Sequence, residues 1–201
     1  MNLTARVRRR RADAWLTLGT GVLSVILLPL AAADLPRLER TLFDKANRTG
    51  HALPALRIPQ QLGTPWLLPT MALVGFWTHR PHLTVSAALA LPLEKGGEIA
   101  VKNLTRRRRP ARAADPVLRD DAPVDGPSYP SGHAAIATCA AVLVAPYLPP
   151  YAGPGLVATL GLTSYARLQQ GAHFPLDLLG GVLLGVASGS LLNYAFGLPV
   201  A

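Results

Sequence analysis

Apolar residues fall along this chain in long blocks, without the regular polar interruptions of a helix that faces water on one side. Residues 14–33 (AWLTLGTGVLSVILLPLAAA) and 178–201 are both free of charged side chains. Each is long enough for a helix to cross a hydrocarbon layer of about 30 Å. Four weaker apolar blocks lie between them, at residues 62–78, 83–102, 134–149 and 151–166. The pattern predicts an all-α, polytopic membrane protein: six transmembrane helices in a bundle, residues 1–201 forming one domain with a basic arm at 1–13. Trp66 and Trp77 bracket the second block as interfacial aromatics do, and the turn His79-Arg80-Pro81-His82 separates it from the third. Pro149, Pro150, Gly153 and Pro154 break the fourth block from the fifth, which makes those helices antiparallel neighbours. The basic start followed by an apolar run resembles a signal peptide, but the run exceeds a typical signal core, so a retained anchor is expected.

The third block carries Glu94, Lys95, Glu98 and Lys102 in its second half. Ionisable groups at membrane depth are costly unless they face protein, water or ligand, so this half either lines something wet or lies outside the lipid. Glu98 stands four residues before Lys102, the favourable order for an ion pair along a helix. Two long loops remain, 34–61 and 103–129, and LPRLERTLF in the first is expected to form a short helix on the membrane surface. With six crossings, both loops, Lys102, the 130–133 segment and the end of the fifth block share one side of the membrane.

Composition narrows the partners. The chain is 50% hydrophobic and 15% charged, with a formal charge of +9. Its arginines gather at the N-terminus and between residues 102 and 119, beside predicted spans, so membrane lipids or an anionic substrate fit and nucleic acid does not. Cys139 is the sole cysteine. It cannot form an internal disulfide or a thiolate metal cluster, and packing is its expected role.

Three short segments carry chemistry. In YPSGHAA, residues 129–135, Ser131 is suited to cap the fourth helix and leave first-turn N–H groups facing an anion, although Ser-Gly before a helix is often only a cap. Gly132 allows close backbone approach, and His133 can donate a proton near neutral pH. In KNLTRRRRP, Lys102 and Arg109 offer a point charge and a planar fork for phosphate; cations at an interface also serve as headgroup contacts or topology markers. In ARLQQGAHFPLD, His173 and Asp177 are four apart with Pro175 suited to the first helical turn, so the carboxylate can reach back to the imidazole. Arg167 brings a third cation. The His-Asp pair could also ligate a metal, yet only His133 offers itself as a further strong ligand, so no metal is expected.

Taken together, Lys102-x6-Arg109-Pro110, Pro130-Ser131-Gly132-His133 and Arg167-x5-His173-x3-Asp177 resemble the three signature motifs of the type 2 phosphatidic acid phosphatase family. Order, spacing and position at the ends of apolar blocks agree; Ala166 departs from the serine the family often has there. The resemblance implies an integral membrane phosphatase acting on a lipid phosphate or diphosphate, with the motif-bearing region at 102–177. It implies His173 as nucleophile giving a phosphohistidine, Asp177 orienting its ring, and His133 protonating the leaving oxygen. Lys102, Arg109, Arg167, Ser131 and Gly132 would bind the phosphate, with no metal or other cofactor.

A polyprenyl diphosphate, phosphatidic acid and phosphatidylglycerol phosphate all fit as substrate, the first favoured by family habit. Two other readings stand beside this one: an enzyme like the related vanadium-dependent haloperoxidases, and a catalytically silent binder of lipid headgroups. Arg6 and Arg8 to Arg11 favour a cytoplasmic N-terminus, hence an extracytoplasmic active site in the cell membrane, whereas counting basic residues over all loops opposes it. The N-terminal cluster is given the greater weight because phosphate binding accounts for several of the other arginines. Oligomeric state is not readable from the sequence.

Overall fold

In a computed structural model the described residues are 3–32, 36–48, 54–119 and 122–196. Their regular structure is helical, with no strand among them, in the order α1 (Leu3–Ala32), α2 (Arg37–Arg48), α3 (Arg57–Gln61), α4 (Leu67–Trp77), α5 (Pro81–Thr105), α6 (Pro110–Ala113), α7 (Gly132–Val144), α8 (Gly153–Gln169) and α9 (Pro175–Phe196). The expected all-α class holds. Each of the six apolar blocks contains or overlaps a longer helix, but the bounds differ. From Leu3 the basic arm is continuous with the first span, and among the described residues only Arg11–Ala32 and Pro175–Phe196 are both long and apolar enough to cross a bilayer.

The other blocks fall short for identifiable reasons. α4 has 11 residues, about 16 Å of rise, because Gly63, Thr64 and Pro65 hold its approach in turns instead of helix. α7 yields after 13 residues to a single 3-10 turn at Ala145–Tyr147, where Pro146 and then Pro149 and Pro150 interrupt the helical ladder. α5 is long, at 25 residues, and it is the charges of its second half that keep it from being a plainly apolar span. The LPRLERTLF helix exists, as part of α2, although Leu35 and the rest of 33–35, like 49–53, 120–121 and 197–201, lie outside the described residues.

The centre of the bundle is the contact between α7 and α9, with α1 and α5 also against α9 and α4 against α5. Small residues make this possible. α7 presents alanines, Thr138 and Cys139, while Gly181, Gly185 and Gly189 recur every fourth residue along the facing side of α9. A Cβ at Gly181 would stand 2.4 Å from the Ser131 carbonyl oxygen, one at Gly185 would stand 2.4 Å from that of Ala135, and one at Gly189 2.8 Å from Val142. Such spacing brings two backbones together where lipid gives no hydrophobic drive to helix association. Gly185→Ala is accordingly expected to destabilise the whole protein by about 1–3 kcal/mol through overpacking, seen as a lower midpoint of thermal unfolding in detergent.

Around this contact lies a core of Leu68, Leu83, Ala87, Ala90, Ile136, Cys139, Ala140, Leu143 and Leu192. Cys139 packs there, fully buried, as expected. The outward faces stay apolar: Trp15, Leu18, Val22 and Ile26 on α1 and Leu73, Phe76 and Trp77 on α4 are all more than half exposed. An apolar belt of that extent suits lipid as the surrounding medium.

At one end of the bundle the polar segments converge. Asn47 of α2 donates to the carbonyls of Val117 and Gln169 at 3.0 Å and accepts the Val117 N–H at 2.8 Å, and Arg119 donates to the Asn47 carbonyl at 2.7 Å. The two loops, the C-terminal end of α5, the start of α7 and the end of α8 therefore lie on one side, as the sequence pattern requires.

Candidate active site

The three motif segments meet at this end. α7 begins at Gly132 because Ser131, in extended conformation, caps it, its hydroxyl accepting the Ala134 N–H at 3.5 Å. The Ser131 N–H donates to the Asp177 carbonyl at 2.9 Å, so the beginnings of α7 and α9 are tied directly. Gly132 is glycine for want of space: a Cβ there would lie 2.6 Å from both carboxylate oxygens of Glu98. His133 follows, half-buried, with Gly63 so close that a Cβ on that glycine would sit 2.7 Å from the His133 Cβ. The 62–66 turn thus covers His133.

α5 supplies Lys102 from its last full turn. The expected pair forms, with Lys102 Nζ donating to Glu98 Oε1 at 2.6 Å, and a second lysine joins it, Lys95 Nζ donating to Glu98 Oε2 at 2.7 Å. α5 ends where Arg106 takes a left-handed conformation, and the chain then runs extended to Arg109. In an extended segment alternate side chains face opposite ways. Arg107 and Arg109 are therefore buried while Arg106 and Arg108 face outward. Arg109 donates through Nε to the Asp125 carbonyl at 2.8 Å and through Nη1 to the Ala172 carbonyl at 3.1 Å, which sets its guanidinium beside the residue preceding His173. Pro110 opens the single turn of α6. Asp125 also pairs through its exposed carboxylate with Arg112.

α8 delivers Arg167 in its last turn, donating to Gln170 Oε1 at 2.6 Å, and Gln170 in turn donates to Gln60 of α3 at 2.7 Å. Gly171 then turns the chain at φ +76, a conformation that costs glycine little, and leads through Ala172 to His173. Pro175 occupies the first position of α9 as expected. Asp177, two residues on, reaches back so that Oδ2 accepts the Phe174 N–H at 2.8 Å, the helix-capping use of an acidic third residue.

That bond changes one expectation. His173 Nδ1 lies 3.6 Å from Asp177 Oδ2, beyond hydrogen-bond length, and Nδ1 is buried without a hydrogen-bond partner. Oδ2 is turned towards the Phe174 amide, and the other oxygen is held from behind: Arg107 Nη1 donates to Asp177 Oδ1 at 3.0 Å. Arg107 also grips Glu39 of α2, donating through Nη1 to Oε1 at 3.2 Å and through Nη2 to Oε2. Glu39 Oε1 further accepts the Leu176 N–H at 2.8 Å. Neither Arg107 nor Glu39 is distinguished by the sequence motifs. Arg107 is hidden in a run of four arginines, where only the alternation of buried and exposed side chains singles it out. Glu39 shares one face of α2 with Phe43 and Asn47, spaced four apart, which is the legible signal of an inward stripe.

Electrostatics follow from this crowding of cations. His173 is pushed down to about 4 by burial, with Arg167 and Arg109 adding to the effect and Asp177 opposing it. His133 is pushed down to about 3 by burial, then by Arg167 and His173. Burial acts against the Arg107 charge, but Glu39 and Asp177 outweigh it and raise its pKa. Among the described residues no cluster of three or more His, Cys, Asp or Glu is arranged to hold a metal ion.

A sequence profile of the PAP2 superfamily matches residues 82–198, more than half of the chain. The chain belongs to the PAP2 superfamily. All three motif segments lie inside the matched region, whereas α1 to α4, with Glu39, lie outside it. Among relatives, a Sulfolobus acidocaldarius protein named undecaprenyl-diphosphatase is 36% identical over 124 residues, covering 60% of this PAP2 chain and 58% of that protein. The match thus takes in little more than half the length of that relative. LpxE from Aquifex aeolicus shares the architecture at a TM-score of 0.69 and 26% identity, over 78% of this chain and 95% of its own. A transmembrane PAP2-type phosphatidylglycerolphosphate phosphatase from Bacillus subtilis matches in fold at a TM-score of 0.71 and 20% identity, over 89% and 94%.

Proposed function

We propose that this chain is an integral membrane phosphatase that hydrolyses a lipid phosphate or diphosphate through a phosphohistidine on His173. The observation that carries the reading is the meeting of three distant segments, 102–110, 131–133 and 167–177: Arg109 donates to the carbonyl of Ala172 beside His173, and the Ser131 N–H donates to that of Asp177. Superfamily membership supports the reaction class, and the named activity of the Sulfolobus relative favours a polyprenyl diphosphate as substrate. The exposed apolar belt supports a multi-pass protein of six crossings, a single domain whose lipid substrate keeps its tail in the bilayer. The N-terminal arginines favour an extracytoplasmic site.

In this scheme Lys102, Arg109 and Arg167, the Ser131 hydroxyl and the Gly132 N–H hold the non-bridging oxygens, where charge concentrates during transfer. Lys102 is shared with Glu98 until the phosphate competes for it. His173 attacks phosphorus through Nε2, the nitrogen remote from Asp177, and the phosphorus–oxygen bond to the lipid breaks. His133 gives its proton to the departing oxygen, then takes one from the water that cleaves the phosphohistidine. Asp177 stabilises the positive ring in between. Three cations exceed the charge of a phosphomonoester, so no step calls for a divalent ion.

Attack requires a neutral imidazole, and the lowered pKa of His173 supplies it. The ring signals of His173, followed by NMR in detergent, are expected to titrate near pH 4, against 6.5 for an ordinary histidine. Nucleophilicity is kept above that pH and lost as pH falls through it; a titration at the ordinary value would contradict the burial described. His133 must carry a proton to act as acid, and an arriving phosphate dianion raises its pKa by direct attraction. The functional test is phosphate release by the purified protein from a panel holding a polyprenyl diphosphate, its monophosphate, phosphatidic acid and phosphatidylglycerol phosphate. Turnover of at least one is expected, with the polyprenyl diphosphate fastest; turnover of none, or halide oxidation when vanadate is added, would overturn the reading.

A further inference from the structure

The catalytic carboxylate proposed above has a rival claimant. Arg107 is only 6% exposed, and a buried guanidinium must be balanced by a nearby anion. If Asp177 alone balanced it, the two would form a neutral pair, and nothing negative would remain to stabilise a positive ring at His173. Glu39 removes that conflict. It meets Arg107 with both oxygens, so Glu39, Arg107 and Asp177 together keep one net negative charge beside the imidazole.

We propose that Glu39 is a positioning residue for catalysis: by taking up the charge of Arg107, it leaves the Asp177 carboxylate available to His173 and fixes where that carboxylate points. The proposal rests on the reading of His173 as nucleophile. It concerns a residue that lies outside the stretch matched by the superfamily profile.

The geometry around Glu39 is that of an anchored part. α2 is pinned along its inner face, by Glu39 to Arg107 and to the Leu176 N–H, by Phe43 edge-on to Phe174 with ring centroids 4.9 Å apart, and by Asn47 to Val117 and Gln169. Phe174 and Leu176 flank the turn that carries His173 into α9, and the Arg107 guanidinium sits 5.4 Å from the Phe174 ring centre. The Glu39 and Phe43 contacts bear directly on the stretch between His173 and Asp177. The charged and titratable groups acting on His173 are Asp177 from α9, Arg167 from α8, His133 from α7 and Arg109 from the segment after α5, while Arg107 acts through Asp177. Glu39 is the contribution of α2.

Charge counting gives a test that mere loss of structure would not reproduce. Arg107→Gln removes a cation and leaves two anions, so His173 is expected to titrate about one pH unit or more higher. Glu39→Gln leaves Asp177 neutralised by Arg107, so His173 is expected not to rise, and kcat is expected to fall about tenfold or more with KM within about threefold. The double variant Glu39→Gln with Arg107→Gln restores one net negative charge, and its His173 titration is expected to return to the value of the unaltered protein.

All titrations use the full-length protein in detergent and need no substrate, so failure of the phosphatase reading and failure of this inference show up separately. Absence of a rise in Arg107→Gln, or a double variant that stays with Arg107→Gln, would overturn the proposal. If Glu39→Gln alone does not fold, the comparison of Arg107→Gln with the double variant decides the matter by itself.

Discussion

Replacing His173 with alanine is expected to lower lipid phosphate hydrolysis by about 10⁴-fold or more, the scale on which removal of a covalent nucleophile acts. No other group at the site offers the same route. His133 sits on α7 against Gly63, where the proposed scheme has it face the leaving oxygen and not the phosphorus. The substitution leaves Arg109, Arg167 and the start of α7 in place, so substrate binding should survive, and KM is expected to change far less than kcat. Cys139→Ala serves as the matched control: this side chain is equally buried but belongs to the core between α5, α7 and α9. Its activity is expected to stay near that of the unaltered protein. Steady-state phosphate release from the two variants checks both statements, and equal activity would remove the nucleophile assignment.

Arg109→Lys is expected to cost about 10²-fold in kcat/KM, the loss typical of one transition-state donor, although it keeps the charge. Arg109 uses its guanidinium in two directions at once. Nε and Nη1 bind the carbonyls of Asp125 and Ala172, and the planar fork then holds one fixed orientation towards the mouth. A lysine ammonium could satisfy one carbonyl or meet the phosphate, but not both, and it lacks the fork that matches two phosphoryl oxygens. The same change would loosen Ala172, the neighbour of His173. Measured on a lipid phosphate, the loss should appear mainly in kcat, since the geometry lost is needed most in the transition state. A loss confined to KM would mean that Arg109 only attracts the substrate.

Much of the site was legible in the sequence because its segments are short and locally determined. Ser131 caps α7, Pro175 starts α9 and Glu98 pairs with Lys102 through spacings that any helix would impose. The relation of His173 to Asp177 was less legible. Four residues on a helix bring the two side chains near each other, but the same spacing lets Asp177 bind its own helix terminus, and in the structure Oδ2 does so. Arg107 and Glu39 depend on a contact across 68 residues of chain, for which no local pattern exists. The six-block hydropathy pattern located the longer helices but overstated several, since α4 and α7 are cut short by glycine and proline that a window average smooths over.

One measurement bears most directly on the claim that three segments enclose a phosphoryl group beside the ring of residue 173. Phosphorus-labelled substrate is mixed with the enzyme, the reaction is stopped in alkali within one turnover, and the label is mapped to a peptide. The account predicts an acid-labile label on His173, present with the unaltered protein and missing from the alanine variant. Label on His133, or hydrolysis with no covalent label and inversion at phosphorus, would contradict it.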